Sequence, residues 1–177
     1  MRNRGGRNVP DGWRNMSSIG EPIPETRFIV FKTPLDWRAE WNLETLKRKV
    51  PTMRNVIDLT RVNPGRYYSP GDCVAMGINH RRIPLQGVGA IPSEDDVELF
   101  FATVQEFLDA IGDDDDGLIG VHSTDGVNRP GVLLCRYMIE MMEMDPEEAI
   151  TAFQTSRGEN IDEPRLLDYL HHREWEN

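Results

Sequence analysis

The sequence predicts an α/β fold with helices on both faces of a sheet, and three observations carry that reading. Short strand-like runs alternate with helical stretches along the chain. The run at residues 56–59 is apolar with one polar residue, the pattern of a strand buried on both sides. A strand–loop–helix unit stands near the end, at residues 118–143, and strands followed by helices pack as layers.

The elements follow in order. Residues 27–32, rich in β-branched and aromatic side chains, predict a strand. Residues 42–49 predict a short helix. The strand at 56–59 is broken by Asn63, Pro64 and Gly65. Residues 78–85 predict another strand. Ser93 is the expected N-cap of a helix, with Glu94, Asp95 and Asp96 in its first turn. Val97, Phe100, Phe101, Val104, Phe107, Leu108 and Ile111 then recur at helical spacing as its core face. A strand at 118–122 leads into a loop at 123–129 and a helix at 130–143. In that helix Val132, Leu133, Cys135, Met138, Ile139 and Met142 face inward. Asp145 caps the next helix, with Pro146 at its first position and Gly158 as its stop. A last helix is expected at 162–172, and there is no internal repeat.

The length of 177 residues suits one domain. Residues 1–15 carry four arginines and little apolar content; they read as a flexible basic arm, with Trp13 packing at its end, ahead of a single domain at 16–177. A nucleic-acid-contacting arm is the sharper alternative. The formal net charge of −10 excludes general attraction to nucleic acid, so a polyanionic ligand needs a local basic pocket. The run Asp113–Asp116 lacks the alternating spacing of a calcium loop and reads as a solvated helix-to-strand connection. The 2 cysteines, Cys73 and Cys135, imply no disulfide framework and suit an intracellular compartment, nuclear or cytoplasmic. No apolar run is long enough for a signal peptide or membrane span, so no membrane is expected as a partner.

The chemistry lies in Val121-His122-Ser123-Thr124-Asp125-Gly126-Val127-Asn128-Arg129-Pro130-Gly131. A buried strand ends at His122 and a helix begins near Pro130. A loop of this length before a helix N-terminus can turn several backbone N–H groups to one point, where the helix dipole adds positive potential. Gly126 permits a tight bend, and the planar fork of Arg129 can grip two phosphate oxygens. An ordinary strand–helix turn with a surface arginine remains open on these features alone.

The same segment resembles the signature of cysteine-based protein tyrosine phosphatases, His-Cys-x5-Arg. The spacing from Ser123 to Arg129 matches it. His122, Thr124, Gly126, Asn128, Arg129 and Gly131, with residues 134–139, are more similar to one branch, the RNA 5′-triphosphatases of the dual-specificity phosphatase superfamily. That branch includes the metazoan mRNA-capping triphosphatase domain and the phosphatase that interacts with RNA and ribonucleoprotein complexes. Residues 26–35, 57–60 and 66–68 agree, and Ala149, Ile150, Arg157 and Gly158 extend the match. The resemblance implies a central twisted, mostly parallel sheet. It implies a low-pKa thiolate at position 123 that forms a phosphocysteine, with Arg129 holding the equatorial oxygens, and no metal or other cofactor. Thr124, Asp125, Gly126, Val127, Asn128 and Arg129 are the expected phosphate cradle. Arg27, Lys32, Arg66 and His122 are the expected further contacts to substrate. The implied partners are 5′-triphosphorylated RNA and ribonucleoprotein or small-RNA-pathway proteins.

Protein phosphatases of this fold carry a general-acid aspartate about thirty residues before the nucleophile. Residues 85–92 hold no carboxylate. A phenolate leaving group, with a pKa of about 10, needs protonation; a phosphate leaving group titrates at about 6 and does not. The missing acid therefore favours a phosphoanhydride substrate.

The sequence departs from the pattern in three places. Ser123 stands where the family has cysteine, and a serine hydroxyl is not ionised near neutral pH, so this chain is expected to be inactive. Either an engineered, substrate-trapping change or a natural pseudophosphatase accounts for it. Pro130 replaces the hydroxyl residue that usually follows the arginine, and Glu163 stands where the family tends to carry basic charge. The expected function is an RNA 5′-tri/diphosphatase in inactive form. A silent 5′-phosphate-binding module and a dual-specificity protein phosphatase are the alternatives.

Overall fold

The computed structural model describes residue 9 and residues 11–61, 67–87 and 89–176. Its strands are β1 (Phe28–Lys32), β2 (Met53–Asp58), β3 (Asn79–Arg82) and β4 (Leu118–Ser123). They form one sheet in the order β1-β4-β2-β3, and every pairing is parallel. Parallel neighbours need crossovers, which the helices supply. The helices are α1 (Asp11–Asn15), α2 (Leu43–Lys49), α3 (Pro70–Ala75), α4 (Glu94–Ile111), α5 (Asn128–Met141), α6 (Pro146–Arg157) and α7 (Pro164–His171), and α2, α3 and α4 lie in the three crossovers.

Side chains of a strand alternate between the faces of a sheet, and β1 shows it. Phe28 and Val30 join the core formed with α4, α5, α6 and α7. Ile29 and Phe31 join a second core with α2 and α3, beside Leu43, Leu46 and Cys73. The sheet is thus covered on both sides. Its second face is tight: a Cβ at Gly120 would come within 2.5 Å of the Phe31 ring.

The expected N-caps form where the sequence puts them. Ser93 accepts from the Asp96 N–H at 3.1 Å and Asp145 from Glu147 at 3.2 Å; Asn42, expected as the first helical residue, is instead the cap of α2 and accepts from Thr45 at 2.9 Å. Gly158 adopts the left-handed φ of 78° that ends α6. Some boundaries differ. β2 starts at Met53 rather than Val56, because Asn55 is buried by pairing with the Asn79 amide at 3.0 Å, which the apolar pattern does not register. β3 is shorter than the expected 78–85. α5 starts at Asn128, so the loop gives its last two residues to the helix. Pro130 costs no hydrogen bond there, since the first intrahelical bond runs from Gly131 N–H to Val127 O.

Of the expected arm, residues 1–8 and 10 lie outside the described residues. Residues 11–15 form α1, and Trp13 donates its indole N–H to the Thr33 carbonyl at 3.0 Å. Residues 18–20 then run antiparallel along the outer edge of β1. The Asp113–Asp116 run connects α4 to β4 at the surface, with Arg54 3.5 Å from Asp115.

Candidate phosphate-binding site

Parallel pairing brings the carboxyl ends of all four strands to one edge, where the loop after β4 opens. Ser123, fully buried, lies at its base, and its Oγ accepts the Gly126 N–H at 3.1 Å. Gly126 has φ of 74°, and a Cβ there would overlap the Phe31 carbonyl at the end of β1. Glycine is therefore required twice, for the turn and for the close approach. The Thr33 N–H donates to the Thr124 carbonyl at 3.1 Å, tying the loop to the segment after β1.

Three contacts fix the loop from below and behind. Arg157, 2% exposed, donates to the carbonyls of Gly126 (2.7 Å) and Asp125 (3.1 Å) and to Ser17 Oγ (2.7 Å) and Ser17 O (2.8 Å). These bonds hold the Asp125 and Gly126 carbonyls against α6. Asn128 donates to Asp162 Oδ1 at 2.7 Å and accepts the Asp162 N–H at 3.2 Å. It thus ties the start of α5 to the segment before α7, rather than bonding within the loop. Arg129 reaches from the first turn of α5 to 3.5 Å from the Leu59 carbonyl. Burial lowers its pKa while Asp125 and Asp58 raise it, and a guanidinium stays charged under such shifts.

Behind the loop is a buried polar cluster. Asp58 Oδ1 accepts from Thr60 N–H at 2.9 Å and Thr60 Oγ1 at 2.6 Å, and Oδ2 is 3.4 Å from His80 Nε2. Burial alone would raise the Asp58 pKa. The charge that His122 carries once protonated and the hydrogen bonds from His80 and Thr60 outweigh it and hold the carboxyl well below the usual range. For His122, fully buried, desolvation wins over the pull of Asp58 and lowers the pKa, so its ring is neutral. His122 Nδ1 faces the Ser123 carbonyl at 3.3 Å and can only donate there. Nε2 is therefore the acceptor, and Tyr68 O–H donates to it at 2.7 Å. The Tyr68 oxygen is left to accept from His80 Nε2 at 2.9 Å, sharing that single N–H with Asp58 Oδ2 at 3.4 Å. This chain sets the His122 tautomer and aims its N–H at the backbone of Ser123.

The structure gathers His122, Ser123, Thr124, Asp125, Gly126, Val127, Asn128 and Arg129 into one site. It does not bring Arg27 or Lys32 into it. Arg27 precedes β1, at the opposite edge of the sheet, where its guanidinium donates to the carbonyls of Asp113, Asp115 and Gly117. Lys32 is at the correct edge but turned away: its Nζ donates to Trp13 O and Met16 O, both at 2.9 Å, and lies 3.7 Å from the centre of the Trp13 ring. Arg66 lies outside the described residues. Sequence reasoning missed Asp58, Tyr68 and His80 as site residues. The one polar residue in the apolar run at 56–59 was the available signal for Asp58, and Tyr68 lies in the matching stretch 66–68, where it read as a base-stacking or core residue and not as a partner of His122; nothing local marks His80. It also missed that Glu163 packs its carboxylate against Gly89, within residues 85–92: a Cβ there would be 2.9 Å from Oε2.

A loop at a helix start with one guanidinium beside it is an arrangement that can hold an oxyanion. It holds no ionisable nucleophile. Cys73 and Cys135 are buried, and burial pushes the Cys73 thiol up to about 12 and the Cys135 thiol higher still. Among the described residues no group of three or more His, Cys, Asp or Glu side chains could hold a metal ion, and no helix is long and apolar enough to cross a membrane.

The comparisons agree with this geometry. Tk-PTP, in a mutant form, superposes with a TM-score of 0.66 over 90% of this chain and 98% of its own, at 14% identity. A Caenorhabditis elegans protein named probable tyrosine-protein phosphatase pir-2 is 34% identical over 175 residues, 92% of this chain and 48% of its own. The RNA/RNP complex-1-interacting phosphatase of Bos taurus is 33% identical over 180 residues, 94% of this chain and 53% of its own. The chain spans about half the length of these two relatives. Residues 46–174 match the dual specificity phosphatase catalytic domain, and the chain belongs to that family.

Proposed function

We propose that this domain receives the 5′-phosphate end of RNA. In a cysteine form it removes terminal phosphates from 5′-triphosphorylated RNA through a phosphocysteine; with Ser123 it binds and does not turn over. The observation that carries this reading is a strand–loop–helix turn with Arg129 on the first helical turn, a buried hydroxyl at its base and no carboxylate of its own on residues 85–92. A phosphate leaving group departs without an acid; a phenolate does not. The RNA-directed name of the bovine relative supports the substrate class. A nuclear or cytoplasmic location goes with it.

The test is phosphate release from γ-labelled 5′-triphosphate RNA, with chelator present, by this chain and by Ser123→Cys. Release by the cysteine form alone is the expected result. No release by either, with RNA binding retained, makes the domain a silent 5′-phosphate reader; Pro130, with no hydroxyl to assist a leaving thiolate, points that way.

The Glu163 carboxylate against Gly89 favours one second reading, a protein phosphatase whose acid comes from the segment before α7. Ser123→Cys would then cleave phosphotyrosine peptides faster than RNA, and adding Glu163→Gln would abolish that preference.

A further inference from the structure

The loop already contains an anion of its own. Asp125 Oδ1 lies 3.3 Å from Ser123 Oγ, which donates to it, and 3.2 Å from the Val127 nitrogen, whose N–H it also accepts. The nucleophile position and a cradle N–H thus converge on one carboxylate oxygen. An incoming oxyanion needs both of them: one oxygen beside the base of the loop, and backbone N–H groups around it. The Asp125 charge is felt across the site, since it acts on Arg129 and on Arg157 beneath the loop.

The carboxylate is favourable there for the reason that phosphate would be. It sits before the N-terminus of α5, a helix of 14 residues, in a field that favours negative charge. Two like charges within a few ångströms in a half-buried site repel strongly. Asp125 and a dianionic oxyanion therefore cannot share the loop in the present geometry.

We propose that Asp125 is a built-in competitor for the oxyanion: its carboxylate occupies the cradle of the resting protein and must swing out before a phosphate enters. It sets the affinity of the loop from within. Resting on the phosphate-site reading above, the inference adds a residue that regulates that site.

The experiment measures inorganic tungstate and inorganic phosphate binding to the full chain by calorimetry, comparing the parent with Asp125→Asn and Asp125→Ala. Asparagine keeps an oxygen for the Val127 N–H and removes the charge. The expected result is tungstate binding about tenfold tighter for Asp125→Asn, which is about 1.4 kcal/mol. Melting of each unliganded protein, and with tungstate, shows that the variants are folded; the ligand-induced rise in Tm is expected to be larger for both variants than for the parent. Equal or weaker binding by folded variants overturns the role of Asp125 and leaves the oxyanion site standing. No oxyanion binding by the parent or either variant overturns the site reading and this inference with it.

Discussion

The α4–α7 face of the sheet and the carboxyl edge of its strands are held by different physics. The face is a continuous apolar core with Phe100, Phe153, Leu133 and Leu170 fully buried. Its stabilisation is area removed from water, spread over many residues and non-directional. The edge is polar and buried: Arg157, His122, Asp58 and Ser123, each with directed partners. There, stability and site geometry rest on the same few hydrogen bonds. The face can lose a side chain and keep its function; the edge cannot.

The largest effect is expected from the face. Phe100→Ala should cost about 3–5 kcal/mol in urea unfolding, while its folded fraction binds oxyanion like the parent. Arg157→Met comes next, at about 3 kcal/mol, because four carbonyl and hydroxyl contacts lose a charged donor. Here oxyanion binding should fall together with stability, and retained binding would break the contrast.

Tyr68→Phe removes the hydroxyl between His80 and His122 and should cost about 1–2 kcal/mol. The same cluster predicts a pH dependence. Unfolded His122 takes up a proton near about 6.5, whereas folded His122 does so only at lower pH. Between those values the unfolded state binds more protons, so stability falls as pH drops. Asp58, with its folded pKa depressed, acts in the same direction once the pH falls below its unfolded value of about 3.9. The urea midpoint should be lower at pH 5 than at pH 7.5, and His122→Asn should flatten that slope. Smallest is Arg27→Ala at the opposite edge of the sheet, about 1 kcal/mol with no change in oxyanion binding. A loss of binding there would restore Arg27 to the substrate contacts.

The contrast also explains what the sequence made legible. Apolar periodicity reports burial against neighbours, so α4, β4 and both sheet faces could be read from Val97 to Ile111 and from Leu118 to His122. Caps are local, and Ser93 and Asp145 were read correctly. The loop was legible because it is contiguous. Arg27 and Lys32 were misplaced because a basic residue in a matching stretch says nothing about which edge of the sheet it reaches or what already binds it. Asp58, Tyr68 and His80 escaped because they come from three elements and meet only through the parallel order β1-β4-β2-β3. Asn128 was assigned to the loop, yet its partner is 34 residues further along.

The N-terminal segment has a practical consequence for anyone trimming the gene. The match to the dual specificity phosphatase catalytic domain begins at residue 46, and a fragment cut there would retain every residue of the loop. It would lack β1, whose Phe31 carbonyl backs Gly126, and Ser17, which holds two donors of Arg157. β4 would become an open edge, and an unpaired apolar edge strand invites association with its own kind. Such a fragment is expected to aggregate rather than bind phosphate, so the span that marks the family is shorter than the unit that folds.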